Sequence, residues 1–273
     1  MTAPTPEQLK AGITGVFDRA AATYDQVGVD FFSRIGEELV RRTAPAAGER
    51  VLDLGCGRGA SALPAARAVG PTGRVVATDL APTMVAGLQE QAADLPWLTV
   101  ELGDAEQPPE GPWDVVQASL VLFFLPGLPA ALDCYREVLA PGGRLGYTWF
   151  GQGDESWSDI QRLLRDGIPE DRRPPDIAKA GPFSSVDAQH AFLEEHGFTR
   201  ADTSAFLVEV PFRDPDHWWA WSWSHGQRHL LEQLEAAGNL DDVRRRVDAV
   251  LTERQRDGSL SFRTEVRCTL ARP

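Results

Sequence analysis

Residues 51–60 read VLDLGCGRGA, an apolar run that meets an acid at Asp53 and then alternating glycines at Gly55, Gly57 and Gly59. Few patterns limit a fold so tightly. Glycines at a strand-to-helix turn remove Cβ atoms where a ligand approaches the backbone, and the helix that follows offers free N–H groups and a partial positive charge. A plain glycine-rich turn closing an ordinary strand is the competing reading. The alternation of glycines and the acid placed before them favour a ligand at the junction.

The spacing also discriminates among ligands. A dinucleotide loop reads G-x-G-x-x-G, whereas this one reads G-x-G-x-G with Asp53 two residues ahead of the first glycine. A carboxylate there repels pyrophosphate and suits a ligand that carries an ammonium group and no phosphate. S-adenosylmethionine has both properties.

After Pro45 and Gly48 the chain alternates short apolar strands, at 50–54, 74–78, 98–102, 113–118 and 143–149, with helix-sized segments. That order implies an α/β fold, a Rossmann-like, doubly wound parallel sheet with ligands over the carboxyl ends of its strands. Before it, Thr5-Pro6-Glu7-Gln8 reads as a capping box opening a helix, and a second helix is expected at 30–43. Beyond it, 198–212 and 259–271 read as two strands that pair as a hairpin around a helical insertion, making a seven-stranded sheet. The expected division is one domain over 1–273. It has an N-terminal helical flap (1–48), a cofactor-binding core (49–150) and a proline- and charge-rich lid or linker (151–183). The end of the sheet follows (184–212 and 259–273), with a helical cap inserted at 213–258. Within the latter part, Ser184 and Asp187 are expected to cap a helix that Gly197 ends.

The net charge of −13 disfavours nucleic acid and anionic membranes as partners. Arg41-Arg42 and Arg244-Arg245-Arg246 fall among acids in helical stretches and read as solvated faces. Three scattered cysteines give neither a disulfide framework nor a metal site, and no signal peptide or membrane span is visible. A cytoplasmic protein is expected, with a small-molecule acceptor as partner and, at most, a second copy of itself.

Five segments resemble class I S-adenosylmethionine-dependent methyltransferases of the quinone-biosynthesis and actinomycete small-molecule type. They are FDRAAATYD (17–25), the glycine loop, VVATDLAPTM (75–84) with GDA (103–105), DVVQASL (114–120) and REVLAPGGRL (136–145). The resemblance implies S-adenosylmethionine as cofactor, S-adenosylhomocysteine as product, and a site built from these segments. Asp53, Gly55, Cys56 and Gly57 form the loop, with Cys56 structural rather than nucleophilic. Asp79 ends the second strand, where a carboxylate can accept from both ribose hydroxyls; a helix cap is its plainer role. Leu80 and Met84 would flank the adenine. Asp104 would accept from its amino group, and the Ala105 N–H would donate to a ring nitrogen. Ser119 and Leu120 would face the methionine part, with Tyr24 folding over the sulfonium.

No base is fixed by the resemblance. Methyl transfer is an in-line displacement that needs a base only if the acceptor must lose a proton. The segment 217–229 holds four of the eight tryptophans. Read as one helix from Pro215, it places Trp218, Trp221, His225 and His229 on one stripe and Trp219, Trp223 and Leu230 on another. The first stripe, with Trp149, is expected to line the acceptor pocket, and His225 is the candidate base; packing alone is the alternative. His190 and His196 read as surface residues. Transfer to oxygen, nitrogen or carbon of an aromatic or apolar metabolite is the expectation, with secondary metabolism as its setting. A cyclase or rearrangement enzyme on the same fold, and a non-catalytic cofactor-binding scaffold, are the rivals.

Overall fold

The computed structural model describes residues 4–173 and 180–273. Strands β1 (Arg50–Leu54), β2 (Arg74–Asp79), β3 (Leu98–Leu102), β4 (Trp113–Ser119), β5 (Leu139–Phe150), β6 (Arg200–Pro211) and β7 (Ser261–Arg272) form one sheet in the order β3-β2-β1-β4-β5-β7-β6. The first five are parallel, and β7 runs antiparallel between β5 and β6. The order reverses at β1 and β4, and in such sheets the ligand crevice lies at that reversal.

The parallel strands were readable because helices cover both of their faces. In β1 and β2, Val51, Leu52, Leu54, Val75, Val76 and Ala77 are all buried, which writes a strand as a continuous apolar run. β5 begins earlier than its apolar stretch, at Leu139, with a register irregularity against β4 that accommodates Pro141, Gly142 and Gly143.

Helices α1 (Pro6–Ala20) and α2 (Phe31–Thr43) form the N-terminal flap, and Thr5 and Gln8 make the reciprocal capping pair expected of them. Ala62–Val69 (α3), Pro82–Gln91 (α4) and Leu128–Val138 (α5) connect the strands. Gly36 lets α2 lie directly on the glycine loop, because a Cβ there would fall inside the Ala60 carbonyl.

Two expectations need correction. The stretch expected as flexible linker contains a helix, α6 (Ser158–Asp166), whose Ile160 and Leu164 are buried, with Trp157 fully packed just before it. Alternating charges obscured an amphipathic helix; residues 174–179 of that stretch lie outside the described residues. The next helix, α7 (Val186–Glu195), is capped by Ser185, whose side chain accepts from Ala188 N, while Ser184 Oγ donates to the Gly181 carbonyl.

The cap between β6 and β7 is three helices, α8 (Pro215–Trp223), α9 (Arg228–Ala236) and α10 (Leu240–Asp257). A single helix through His229 does not form. Ser224 caps α8, and a turn around Gly226 separates it from α9.

Candidate active site

A pocket with about 740 Å³ of empty space, open solvent at its mouth included, lies over the carboxyl ends of the parallel strands. Gly55, Gly57, Asp79, Leu80, Met84, Ala105, Ser119, Leu120 and Tyr24 all line it, so nine of the expected residues converge on one cavity.

The glycine loop is held by Asp79. Its Oδ2 accepts from Gly57 N at 2.8 Å and its Oδ1 from Ala81 N at 2.9 Å. Burial pushes its carboxyl pKa upward, opposed by these backbone donors. A carboxylate has about four acceptor sites, so these bonds leave Asp79 further acceptor capacity where it lines the pocket. Gly55 has φ 63°, and a side chain there would collide with Val121. Leu120 also adopts a left-handed φ of 58°, its N–H donating to Thr148 Oγ1 at 3.0 Å. Strain of that kind in a bulky residue gathers at functional sites.

Asp53 and Cys56 lie behind the loop and do not line the pocket. Asp53 is fully buried; its Oδ1 accepts from Ser61 Oγ at 2.8 Å and Gln117 Nε2 at 3.0 Å, while Oδ2 has no partner among the described residues. Burial, reinforced by the charge of Asp79, pushes its pKa up to about 7. Cys56 is buried and its thiol is pushed well above its ordinary value by the same burial, which suits an inert packing residue.

Asp104 departs from expectation. Lys10 of α1 donates to its Oδ2 at 2.6 Å and pairs with Glu106 at 2.5 Å, so Lys10, rather than Asp104, lines the cavity. An exposed helix gives no sign of which distant acid its lysine will meet, and sequence reading missed it. It also missed Phe17 and Phe124, whose rings meet edge to face at 5.7 Å across the pocket, and the lining pair Val121 and Leu125. Tyr24 completes this wall, stacked on Phe32 at 4.4 Å.

The acceptor residues expected from the cap are not brought into the pocket together. Trp149 is fully buried in β5, its Nε1 donating to Thr269 Oγ1, and Trp218 is buried against Trp157 and Trp219. Both are core, because strand position and helix stripe alone do not say which apolar face meets a cavity. Trp221 and His225 lie nearer: His225 meets Trp221 at 4.4 Å and Phe32 at 5.7 Å, and Phe32 leads to Tyr24.

His225 is not poised as a base. Burial lowers its pKa to about 3, so the ring is neutral. Its Nδ1 accepts from Gln227 N at 3.2 Å, which places the remaining proton on Nε2 and leaves no free lone pair. His217 carries the same arrangement with its donor satisfied: Nδ1 accepts from Arg213 N, and Nε2–H donates to the Val27 carbonyl at 2.9 Å. That bond ties the cap to the flap.

The donor set fits S-adenosylmethionine and disfavours phosphate. The lining cation, Lys10, is neutralised by two acids, while carboxylates at Asp79 and Asp53, the latter with an open buried oxygen, flank the glycine loop. Leu80 and Met84 supply an apolar wall beside them, as expected for adenine.

Comparison with known proteins agrees. A family model described as a methyltransferase domain matches residues 51–143. The nocamycin O-methyltransferase of Saccharothrix syringae is 34% identical over 235 residues, covering 81% of this chain and 84% of the relative. The aklanonic acid methyltransferase DauC of Streptomyces sp. (strain C5) is 41% identical over 182 residues, 62% of this chain and 83% of the relative. The fold is shared with the YcgJ protein of Bacillus subtilis (TM-score 0.55, 15% identity, 86% of this chain and 97% of that one). It is shared also with a Haemonchus contortus phosphoethanolamine N-methyltransferase solved in complex with S-adenosyl-L-methionine (TM-score 0.56, 16% identity, 94% and 57%). No helix among the described residues is long and apolar enough to cross a membrane. The chain belongs to the S-adenosylmethionine-dependent methyltransferases and methylates a small molecule.

Proposed function

We propose that the chain transfers the methyl group to an oxygen of a planar, largely apolar natural product, within secondary metabolism. The observation that carries this reading is the pocket wall of Phe17, Tyr24 and Phe124 with Val121 and Leu125, an aromatic and aliphatic surface that opens onto the loop end of the cofactor cleft. The nocamycin O-methyltransferase supports oxygen as the acceptor atom, and it and the aklanonic acid methyltransferase together support a metabolite of this kind.

The residues take the following parts. Asp79 directs its open lone pairs to the ribose hydroxyls, and Leu80 and Met84 sandwich the adenine, with Ala105 at its edge. Lys10 closes α1 over that end through Asp104 and Glu106. Asp53 sets the charge behind the glycine loop where the methionine ammonium lies. Ser119 and Leu120 border the methionine chain, and Tyr24 shields the sulfonium from water. When bound, S-adenosylmethionine would supply an activated methyl group that passes in line to the acceptor atom, with the thioether of S-adenosylhomocysteine as the leaving group. The chain then has chiefly to orient two partners and exclude water, and such positioning can supply much of the acceleration.

The test is incubation of the protein with methyl-labelled S-adenosylmethionine and a panel containing aklanonic acid, flat phenols and aliphatic amines, read by mass spectrometry. Oxygen-methylated aromatic product is expected. Methylation confined to the amines would overturn the reading.

A further inference from the structure

Two buried N–H donors near the end of α8, on rings whose centroids lie 4.4 Å apart, have no acceptor among the described residues. His225 has its proton on Nε2, because Nδ1 already accepts from Gln227 N, and that Nε2 is buried with no partner among the described residues. Trp221 Nε1, on the ring packed at 4.4 Å against His225, is likewise buried with no partner among the described residues. The contrast with His217 is informative: the same ring geometry, one helical segment earlier, finds the Val27 carbonyl. A buried donor left unmade costs about 1–3 kcal/mol, so two in contact mark a place where an acceptor belongs.

Their location says what kind. His225 packs on Phe32, Phe32 stacks on Tyr24, and Tyr24 lines the cofactor pocket; the adjoining Gly226 faces Phe17, which lines it too. The donors therefore back the aromatic wall at which the acceptor is placed. For an acceptor to reach them from the pocket, the Tyr24–Phe32 pair would have to part. These rings sit on opposite sides of a junction in the flap, where Asp25 takes a left-handed φ of 55°.

We propose that His225 Nε2–H and Trp221 Nε1–H bind an anionic oxygen of the acceptor, and that the acceptor arrives already deprotonated, as a carboxylate or an enolate. This rests on the oxygen-methylation reading above and names its substrate class. No protein base takes part. The acceptor oxygen forms the new O–CH₃ bond with its own electron pair while the S–CH₃ bond breaks and returns its pair to sulfur. An anion and a sulfonium thus become a neutral ester or enol ether and a neutral thioether, and no proton moves. Donors rather than a base are what such an oxygen needs, since they hold it without consuming its nucleophilic pair.

The test uses the full chain with S-adenosylmethionine and three probes: naphthoic acid as carboxylate, dimedone as enolate, and naphthol as neutral phenol. Transfer to naphthoic acid or dimedone is expected, the two arms separating the sources of the anionic oxygen, with naphthol a poor acceptor. Trp221→Phe keeps the ring and removes one donor, and should raise the KM of the anionic probe about 10- to 100-fold, the factor for a hydrogen bond to a charged group. His225→Gln carries an amide donor near the position of Nε2 and should retain most activity, whereas His225→Leu should show the same KM rise as Trp221→Phe. Binding of S-adenosylhomocysteine by each variant confirms a folded cofactor site. Preferential transfer to naphthol, abolished in His225→Gln, would overturn the proposal and restore a base while leaving oxygen methylation intact. Transfer to none of the three would overturn the aromatic-acceptor reading and the proposal with it.

Discussion

Lys10 Nζ lies 2.6 Å from Asp104 Oδ2, so a lysine of the first helix is bonded to the carboxylate that follows the third strand. The pair is part-buried beside the pocket that Lys10 lines and is shared with Glu106, which also accepts from Gly127 N. Opening α1 must break it. Asp18, accepting from Thr83 N, and Arg19, paired with Glu232, hold the same helix farther along.

Replacing Lys10 with methionine should therefore speed the escape of S-adenosylhomocysteine more than it lowers the melting temperature. Partly exposed pairs are worth roughly 1 kcal/mol, a factor of about five in affinity. Stopped-flow dissociation at low and high salt checks this; a rate equal to that of the parent protein would mean α1 does not gate the pocket.

Asp79→Ala removes the acceptor for both Gly57 N and Ala81 N as well as the proposed ribose contact. The expected loss of S-adenosylhomocysteine affinity is on the order of 1.5–3 kcal/mol per charged hydrogen bond. Calorimetry that finds unchanged affinity in a folded variant would displace Asp79 from the ribose.

The raised pKa of Asp53 has a sign that can be read in stability. Burial favours the protonated form, so its contribution is whole below the unfolded value near pH 4 and is lost as pH climbs through about 7. Ionising it in place costs up to roughly 4 kcal/mol at about 1.4 kcal/mol per unit. In the cofactor-free protein Asp53→Asn should melt higher than the parent at pH 8, with the gap closing toward pH 5. A gap independent of pH would show that Asp53 does not titrate in this window.

Gly36→Ala adds one methyl group on a helix that contributes no residue to the cofactor pocket. Because the Cβ would fall on the Ala60 carbonyl, α2 must retreat from the glycine loop. Overpacking of this kind typically costs about 1–3 kcal/mol. Weaker S-adenosylhomocysteine binding together with a lower melting temperature is expected; full affinity would show that the loop does not lean on α2.

The strands and the glycine loop were legible because each is local: apolar runs, glycine spacing and an acid at the strand end write themselves into consecutive residues. That is why Asp79, Leu80, Met84 and Ala105 were found together. What depended on long-range partners was not legible. Lys10 reaching Asp104 joins residues 94 positions apart, and whether Trp149 faces a cavity or the neighbouring β7 depends on strand order. The fate of His225 depended on one backbone N–H two residues away and on a helix that stops at Trp223, which an aromatic stripe drawn through Gly226 does not reveal. His217 and His225 look interchangeable in sequence, yet the Val27 carbonyl satisfies one and leaves the other open.

In the β6–β7 ladder, Pro211 and Ser261 face each other as register partners. Everything between them, α8 to α10, leaves the sheet and returns to it at adjoining points. An insertion so mounted behaves as a cassette: its length and contents can drift, or be transplanted from a relative, without altering one rung of the ladder or the glycine turn on the far side. The sheet thereby sets only the two points at which the insertion is anchored, and the glycine-loop half of the molecule keeps its own core whatever the insertion becomes.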